Sequence, residues 1–173
     1  PVYAESEEDT LEGVVGMLLK AAGATLTVAE SCTGGLLGER LTRVPGSSDY
    51  FLGGAIVYTN RLKTELAGVP PELLQEHGAV SEPVARAMAE GVCRALGSDY
   101  GIAVTGVAGP GGGSEAKPVG TVHIAVAGPE GTSHRRVRFP GDRQRVRQHS
   151  SQLALDMLRR KLLGLDPQGM GWR

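Results

Sequence analysis

The sequence predicts an α/β fold, a three-layer α/β/α sandwich around a mixed, partly parallel sheet. Three observations point there. Segments of helical spacing alternate with short apolar strands through the first part of the chain, the pattern of parallel strands joined by crossover helices. Two later strands flank a "GPEG" turn, which makes a hairpin and an antiparallel section. Polar-plus-glycine stretches follow Ala29, Val57 and Val104, at the carboxyl ends of strands, where such sheets bind ligands.

The elements follow in order. Residues 1–9 are polar and acidic and are expected to lack order. Pro1 stands where Met would start a chain, which suits a processed start or the edge of a longer protein. Residues 10–164 read as one domain and 165–173 as a tail. Thr10 caps a helix whose apolar face is Leu11, Val14, Val15, Leu18 and Leu19, and Gly23 ends it. Leu26 to Ala29 is a strand and Gly35 to Thr42 a helix. "VPGSSDYF" is a turn. "GGAIVY" is a strand ending at Tyr58, followed by a short helix near Leu62 to Ala67 and another from Pro70 and Pro71 to about Glu76. Ser81 caps a helix with Pro83 in its first turn. That helix runs to Leu96 with Val84, Met88, Val92 and Leu96 inward. Tyr100 to Val104 is a strand, Gly106 to Pro118 a glycine-rich loop, and Gly120 to Ala127 with Thr132 to Phe139 the hairpin. A long helix closes the domain from Arg143 to about Leu163.

Composition narrows the function. The chain has 173 residues, 40% hydrophobic and 21% charged, which suits one domain with an ordinary core. A formal net charge of -1 argues against a generalised nucleic-acid surface, and 4% aromatics against base-stacking platforms. There are 2 cysteines, Cys32 and Cys93, with no CxxC or Cys/His cluster, so a structural zinc site is not expected. No signal peptide or membrane-length apolar run is visible, and the reading is a cytoplasmic protein without a membrane partner.

Four stretches carry candidate chemistry. "TVAESCTGG" puts Ser31 and Cys32 between a strand and a helix, where free N–H groups favour an anion or a developing oxyanion. A plain cap by Ser31 or Thr33 explains the same residues. Adjacent side chains in a tight turn diverge, so only one of Ser31 and Cys32 faces a ligand. The histidines His77, His123, His134 and His149 lie in no evident functional loop and read as packed or surface residues. A lysine held neutral can replace histidine as base. "AIVYTNRLK" offers Lys63, five residues after Tyr58, against the alternative of a solvated lysine. "AVTGVAGPGGG" delivers Thr105 and then Gly106, Ala108 and Gly109. It has the flavour of a dinucleotide fingerprint, but a strand rather than a helix follows. A Ser–Tyr–Lys oxidoreductase is disfavoured for the same reason and by the Tyr58–Lys63 spacing. In "FPGDRQRVRQ", Arg143 and Arg147 share one face of a helix start, which suits a phosphate or carboxylate or simply a solvated charged face.

Taken together, "AESCTGGLLGERLTRVPGSSDYFLGGAIVYTNRLKTELAGV", "GAVSEPVARAMAEGV", "VTGVAGPGGGSEAKPVGTVHIAV" and "GDRQRVR" resemble the carboxy-terminal domain of the CinA competence/damage-inducible family, from about Leu11 to Leu163. The opening "VYAESEEDTLEGVVGMLL" is similar to the junction after the preceding domain in longer members.

The resemblance implies an amidohydrolase that converts nicotinamide mononucleotide and water to nicotinic acid mononucleotide and ammonia, in pyridine-nucleotide recycling. It implies Ser31 as nucleophile, Tyr58 and Lys63 as helpers, and Thr105 before the glycine loop. No metal or cofactor is implied. On this reading Thr33, Gly34 and Gly35 supply the oxyanion N–H groups, and Lys63 takes the serine proton, through Tyr58 or directly. Arg143 or Arg147, with the loop of Gly106, Ala108 and Gly109, meets the phosphate, and Glu30 orients base or ligand. The expected partners are the nucleotide substrate and further copies of the chain, as a dimer or trimer. The alternative is a non-catalytic nucleotide-binding or regulatory module.

Overall fold

A computed structural model describes residues 10–169. The expectations for residues 1–9, and for the tail beyond Gly169, lie outside the described residues. The elements are α1 (Leu11–Ala22), β1 (Leu26–Glu30), α2 (Leu36–Thr42), a 3-10 turn (Ser47–Asp49), β2 (Phe51–Ile56), α3 (Asn60–Ala67), α4 (Pro71–His77), α5 (Glu82–Leu96), β3 (Tyr100–Gly106), β4 (Thr121–Ala127), β5 (Ser133–Arg138) and α6 (Arg143–Leu162). The sheet order is β2-β1-β3-β4-β5. β2, β1 and β3 are mutually parallel, and β4 runs antiparallel to both neighbours. This is the expected three-layer α/β/α sandwich with a mixed sheet.

The two faces of the sheet carry side chains of different size. Val28, Ile102, Val104, Val122, Ile124 and Val126 join α1, α2 and α6 in one core. Ala29, Ala103, Ala125 and Ala127 face α3 and α5 in the other. The alternation follows from the strand period of two, and the alanine stripe lets α5 approach closely. Gly101 shows how closely: a Cβ there would overlap the Ala89 carbonyl and the Cys93 sulfur. Gly91 plays the same part between helices, since its Cβ would overlap the Ala67 carbonyl oxygen. On the first face, Arg40 of α2 donates to Glu12 of α1 at 2.7 Å and to Ser151 and Gln152 of α6 at 3.0 and 2.7 Å, which fixes α6 against α2.

Caps account for several boundaries. Thr10 Oγ1 accepts from the Gly13 N–H, and Gly23 ends α1 in the left-handed region. Thr59 caps α3 and Gly68 closes it. Three expectations are corrected. β2 covers Phe51–Ile56, so Val57 and Tyr58 lie past its end, where their carbonyls turn to Lys63 instead of extending the ladder. Ser81 occupies the cap position of α5, but its hydroxyl donates to the Gly78 carbonyl. Leu96 is 45% exposed although it continues the apolar spacing of α5.

Gly91→Ala is expected to destabilise the fold by about 1–3 kcal/mol through this overlap with backbone, read by urea unfolding.

Candidate active site

β1, β2 and β3 are parallel, so the loops that follow them gather at one edge of the sheet. The loop after β1 leads to α2 on the first face, and the loop after β2 leads to α3 on the second. A crevice at such a divergence is the usual ligand position. The strand alternation then sends Glu30 and Ser31 to opposite sides.

Glu30 turns to the first face. Its carboxylate accepts N–H bonds from Gly35 at 3.0 Å, Leu37 at 3.0 Å and Gly38 at 2.8 Å. These are orphan donors at the start of α2, and the carboxylate complements the helix dipole. Glu30 is only 1% exposed. Its two oxygens are engaged by α2, so it orients the turn and touches neither Lys63 nor an open site, contrary to expectation.

Ser31 turns to the second face, where Lys63 of α3 meets it. Lys63 Nζ lies 3.1 Å from Ser31 Oγ, 2.8 Å from the Val57 carbonyl and 3.4 Å from the Tyr58 carbonyl. The side chain is 1% exposed, and no carboxylate pairs with it among the described residues. Burial lowers its pKa from the ordinary lysine value, with Cys32 opposing weakly. Nζ donates to the Val57 and Tyr58 carbonyls and to Ser31 Oγ, and burial favours the neutral amine, whose lone pair is then free to accept from the Ser31 hydroxyl.

Cys32 points the other way, into the core of α1, α2 and α6. Burial pushes its thiol up to about 12, so it holds its proton near neutral pH. The backbone around Ser31 is largely tied. Ser31 N–H donates to Val104 O at 3.0 Å, Gly34 N–H to Ser31 O at 3.1 Å, and Gly35 N–H to Glu30. Among the described residues, the N–H groups of Cys32 and Thr33 alone in this turn meet no carbonyl or side-chain oxygen. Of the expected donors Thr33, Gly34 and Gly35, the N–H groups of Gly34 and Gly35 are thus engaged and that of Thr33 is not.

The other expected residues sit around this centre, several with their polar groups engaged. The Tyr58 hydroxyl is 2.7 Å from Arg143 Nη2, so no relay through it separates Ser31 from Lys63. Thr105, the last but one residue of β3, is buried, donating to the Ala79 carbonyl at 2.9 Å. Gly106 leaves no room for a side chain, since its Cβ would meet Thr121 O at 2.8 Å. Ala108 packs into the first-face core rather than lining an opening. The Gly109 carbonyl accepts from Arg143 Nη1 at 3.1 Å. Arg147 donates from Nε and Nη2 to the Thr33 carbonyl at 3.2 and 2.8 Å. Both arginines therefore reach the site from α6, and they also line a pocket of about 270 Å³ with Leu36, Gln144 and Gln148. The glycine-rich loop leads into β4 and not into a helix, so the dinucleotide fingerprint does not form.

The sequence held no signal for the Val57, Tyr58 and Ala79 carbonyls that position Lys63 and Thr105, because any residue supplies a carbonyl. It also gave no pairing for the histidines: His123 Nδ1 and His134 Nε2 are 2.9 Å apart, buried on the α5 side.

Comparison with known proteins agrees with this architecture. The model of the CinA C-terminal domain matches residues 8–162. A CinA-like protein of Acidobacterium capsulatum is 56% identical over 162 residues, covering 94% of this chain and 39% of its own length. One from Gloeobacter violaceus is 53% identical, covering 95% of this chain and again 39% of its own. The chain thus spans about two fifths of these relatives. The crystal structure of a competence-damaged protein (CinA) superfamily protein from Klebsiella pneumoniae superposes with a TM-score of 0.86 at 34% identity, covering 89% of this chain and 96% of that one. A competence/damage inducible protein from Agrobacterium tumefaciens gives 0.83 at 39%, covering 86% and 91%. The chain belongs to the CinA C-terminal domain family.

Proposed function

We propose that this domain is an amidohydrolase that deamidates nicotinamide mononucleotide to nicotinic acid mononucleotide and ammonia. The observation that carries the reading is the buried Lys63 amine, 3.1 Å from Ser31 Oγ and otherwise hydrogen-bonded, among the described residues, to the Val57 and Tyr58 carbonyls. A serine beside a neutral lysine is a nucleophile with its base, and amide cleavage is the chemistry such a pair performs. The amide substrate itself comes from the family resemblance.

Ser31 Oγ attacks the carboxamide carbon while Lys63 takes its proton. The N–H groups of Cys32 and Thr33 receive the oxyanion. Lys63, now an ammonium, protonates the departing ammonia. Water then attacks the acyl-enzyme with Lys63 again as base, releasing the acid and restoring the serine. The nucleotide phosphate is assigned to the α6 end of the site, with Arg143 the first candidate because Nε–H and further Nη hydrogens remain beyond its bonds to Tyr58 and Gly109. Homo-oligomerisation belongs to the same reading, and the edge strand β2 offers exposed Leu52 and Ile56 for it. Free Cys32 and Cys93 suit a reducing cytoplasm.

Ammonia release from nicotinamide mononucleotide tests the reading. Ser31→Ala is expected to fall to background with an unchanged circular-dichroism spectrum. Full activity in that variant excludes the serine mechanism, and binding without turnover by the wild type favours the regulatory module.

Lys63→Arg, which cannot become neutral, is expected to lose turnover as well. In the wild type kcat/KM should rise with pH to a plateau reached below the ordinary lysine range, because only the neutral amine accepts the proton.

Lys63 also links stability to pH. Its native pKa is lowered from 10.5, so between the lowered value and 10.5 the unfolded chain binds more protons, and stability rises with pH across that window. Urea unfolding of Lys63→Met should lack this rise.

A further inference from the structure

We propose that Arg147 is a positioning residue of the oxyanion turn and not a ligand of the substrate phosphate. The inference rests on the amidohydrolase reading and reassigns one of its two arginines. A guanidinium recognises phosphate best through two parallel N–H groups. The Nε and Nη2 edge of Arg147 is turned inward, with both N–H groups on the single carbonyl of Thr33 at 3.2 and 2.8 Å.

That carbonyl belongs to the peptide between Thr33 and Gly34, in the middle of the turn that carries the nucleophile. The turn has an intrinsic weakness. Gly34 and Gly35 both have positive φ, at 59° and 97°. Glycine crosses between left- and right-handed regions with little steric cost, so against rotation of the Thr33–Gly34 peptide the local chain offers the Gly34 N–H bond to Ser31 O at 3.1 Å and no side-chain bulk. Among the described residues, the other hold on the Thr33 carbonyl is the long 3.3 Å bond from the Leu36 N–H.

Two ionisable side chains hold the turn from opposite polarities. Glu30 takes the N–H groups of Gly35, Leu37 and Gly38. Arg147 takes the carbonyl of Thr33. With both in place, Cys32 and Thr33 N–H are the donors left over for an oxyanion. A carbonyl swung toward the site would instead repel the developing negative charge. Arg147 can do this because Arg40 fixes α6 against α2 through Ser151 and Gln152, one helical turn further along. Arg143, four residues earlier on the same face, ties Tyr58 and Gly109 in the same manner. The first turns of α6 therefore hold the loops after β1, β2 and β3 together.

The test compares two substrates, nicotinamide mononucleotide and its phosphate-free riboside, by ammonia release. In Arg147→Ala, kcat is expected to fall by about 10–100-fold on both substrates by the same factor, the effect of a displaced oxyanion donor, with KM changed by less than about threefold. Arg147→Lys, which offers no fork, should fall in between, and it carries the test if melting shows Arg147→Ala to be unfolded. A rise in KM of about tenfold for the nucleotide alone, worth ~1.4 kcal/mol, with riboside turnover unchanged, assigns Arg147 to the phosphate and overturns the proposal. Unchanged kinetics on both substrates overturns it too. If the wild type turns over either substrate too slowly to measure, the rate at which an alkyl fluorophosphonate labels Ser31 replaces turnover, since its phosphoryl oxygen needs the same N–H pair. If neither substrate is turned over at all, the substrate assignment fails on its own. Slower labelling of the variant by about tenfold or more supports positioning. Equal rates, or no labelling of the wild type, overturns it.

Discussion

A lysine amine buried with no carboxylate partner among the described residues is the constraint on which this structure turns. An ammonium at that depth loses several kcal/mol of hydration, which favours the neutral amine, and three oxygens in a fixed arrangement meet it. Those oxygens come from the loops after β1 and β2, while the amine comes from α3. The position of Lys63 therefore depends on the Thr59 cap that starts α3, the Gly68 turn that ends it and the α5 surface it rests on. Gly91 and the alanine stripe on the sheet bring α5 close enough for this. Packing of the second face and the protonation state of the amine are thus one problem.

The first face solves a different problem. Its valines and isoleucines bury α1, α2 and α6, and its polar contacts fix geometry rather than chemistry. Glu30 holds the start of α2, Arg40 ties α1 to α6, and the α6 arginines reach across the edge of the sheet to the strand-end loops. One pair of adjacent residues joins the two problems. Glu30 and Ser31 point to opposite sides of the same strand, so a rigid anchor and a reactive hydroxyl are separated by one peptide. Cys32, next in line, is turned back into the core, where its thiol is inert.

Much of this was legible in the residues. Thr10 and Gly23 bound α1, "GPEG" marked the hairpin, and the glycines after Thr105 ruled out a nucleotide fingerprint by what followed them. Ser31 was legible as a candidate because it lies just past the carboxyl end of a strand, and Lys63 because it follows Tyr58 by five residues in the next turn or helix and can replace a histidine base. The rest depended on direction. Tyr58 was expected between base and nucleophile, yet its carbonyl faces Lys63 and its hydroxyl faces Arg143. Gly34 and Gly35 were expected to donate to an oxyanion, yet their N–H groups are taken by Ser31 O and Glu30. Leu96 fits the apolar spacing of α5 and is still exposed, since periodicity does not say where the opposing surface ends.

The sequence by itself determined the layered α/β architecture, most helix limits and the set of polar residues at the strand ends, because caps, turns and apolar periods act over a few residues. Only the tertiary structure decided which of those polar groups remain available. A donor or acceptor is claimed by whatever partner lies nearest in space, and for Glu30, Tyr58, Thr105 and Arg147 that partner is a backbone group or a distant side chain that spacing along the chain does not reveal. The contact between Lys63 and Ser31 is of the same kind: the two are 32 residues apart and meet because Ser31 turns to the face of the sheet on which α3 packs.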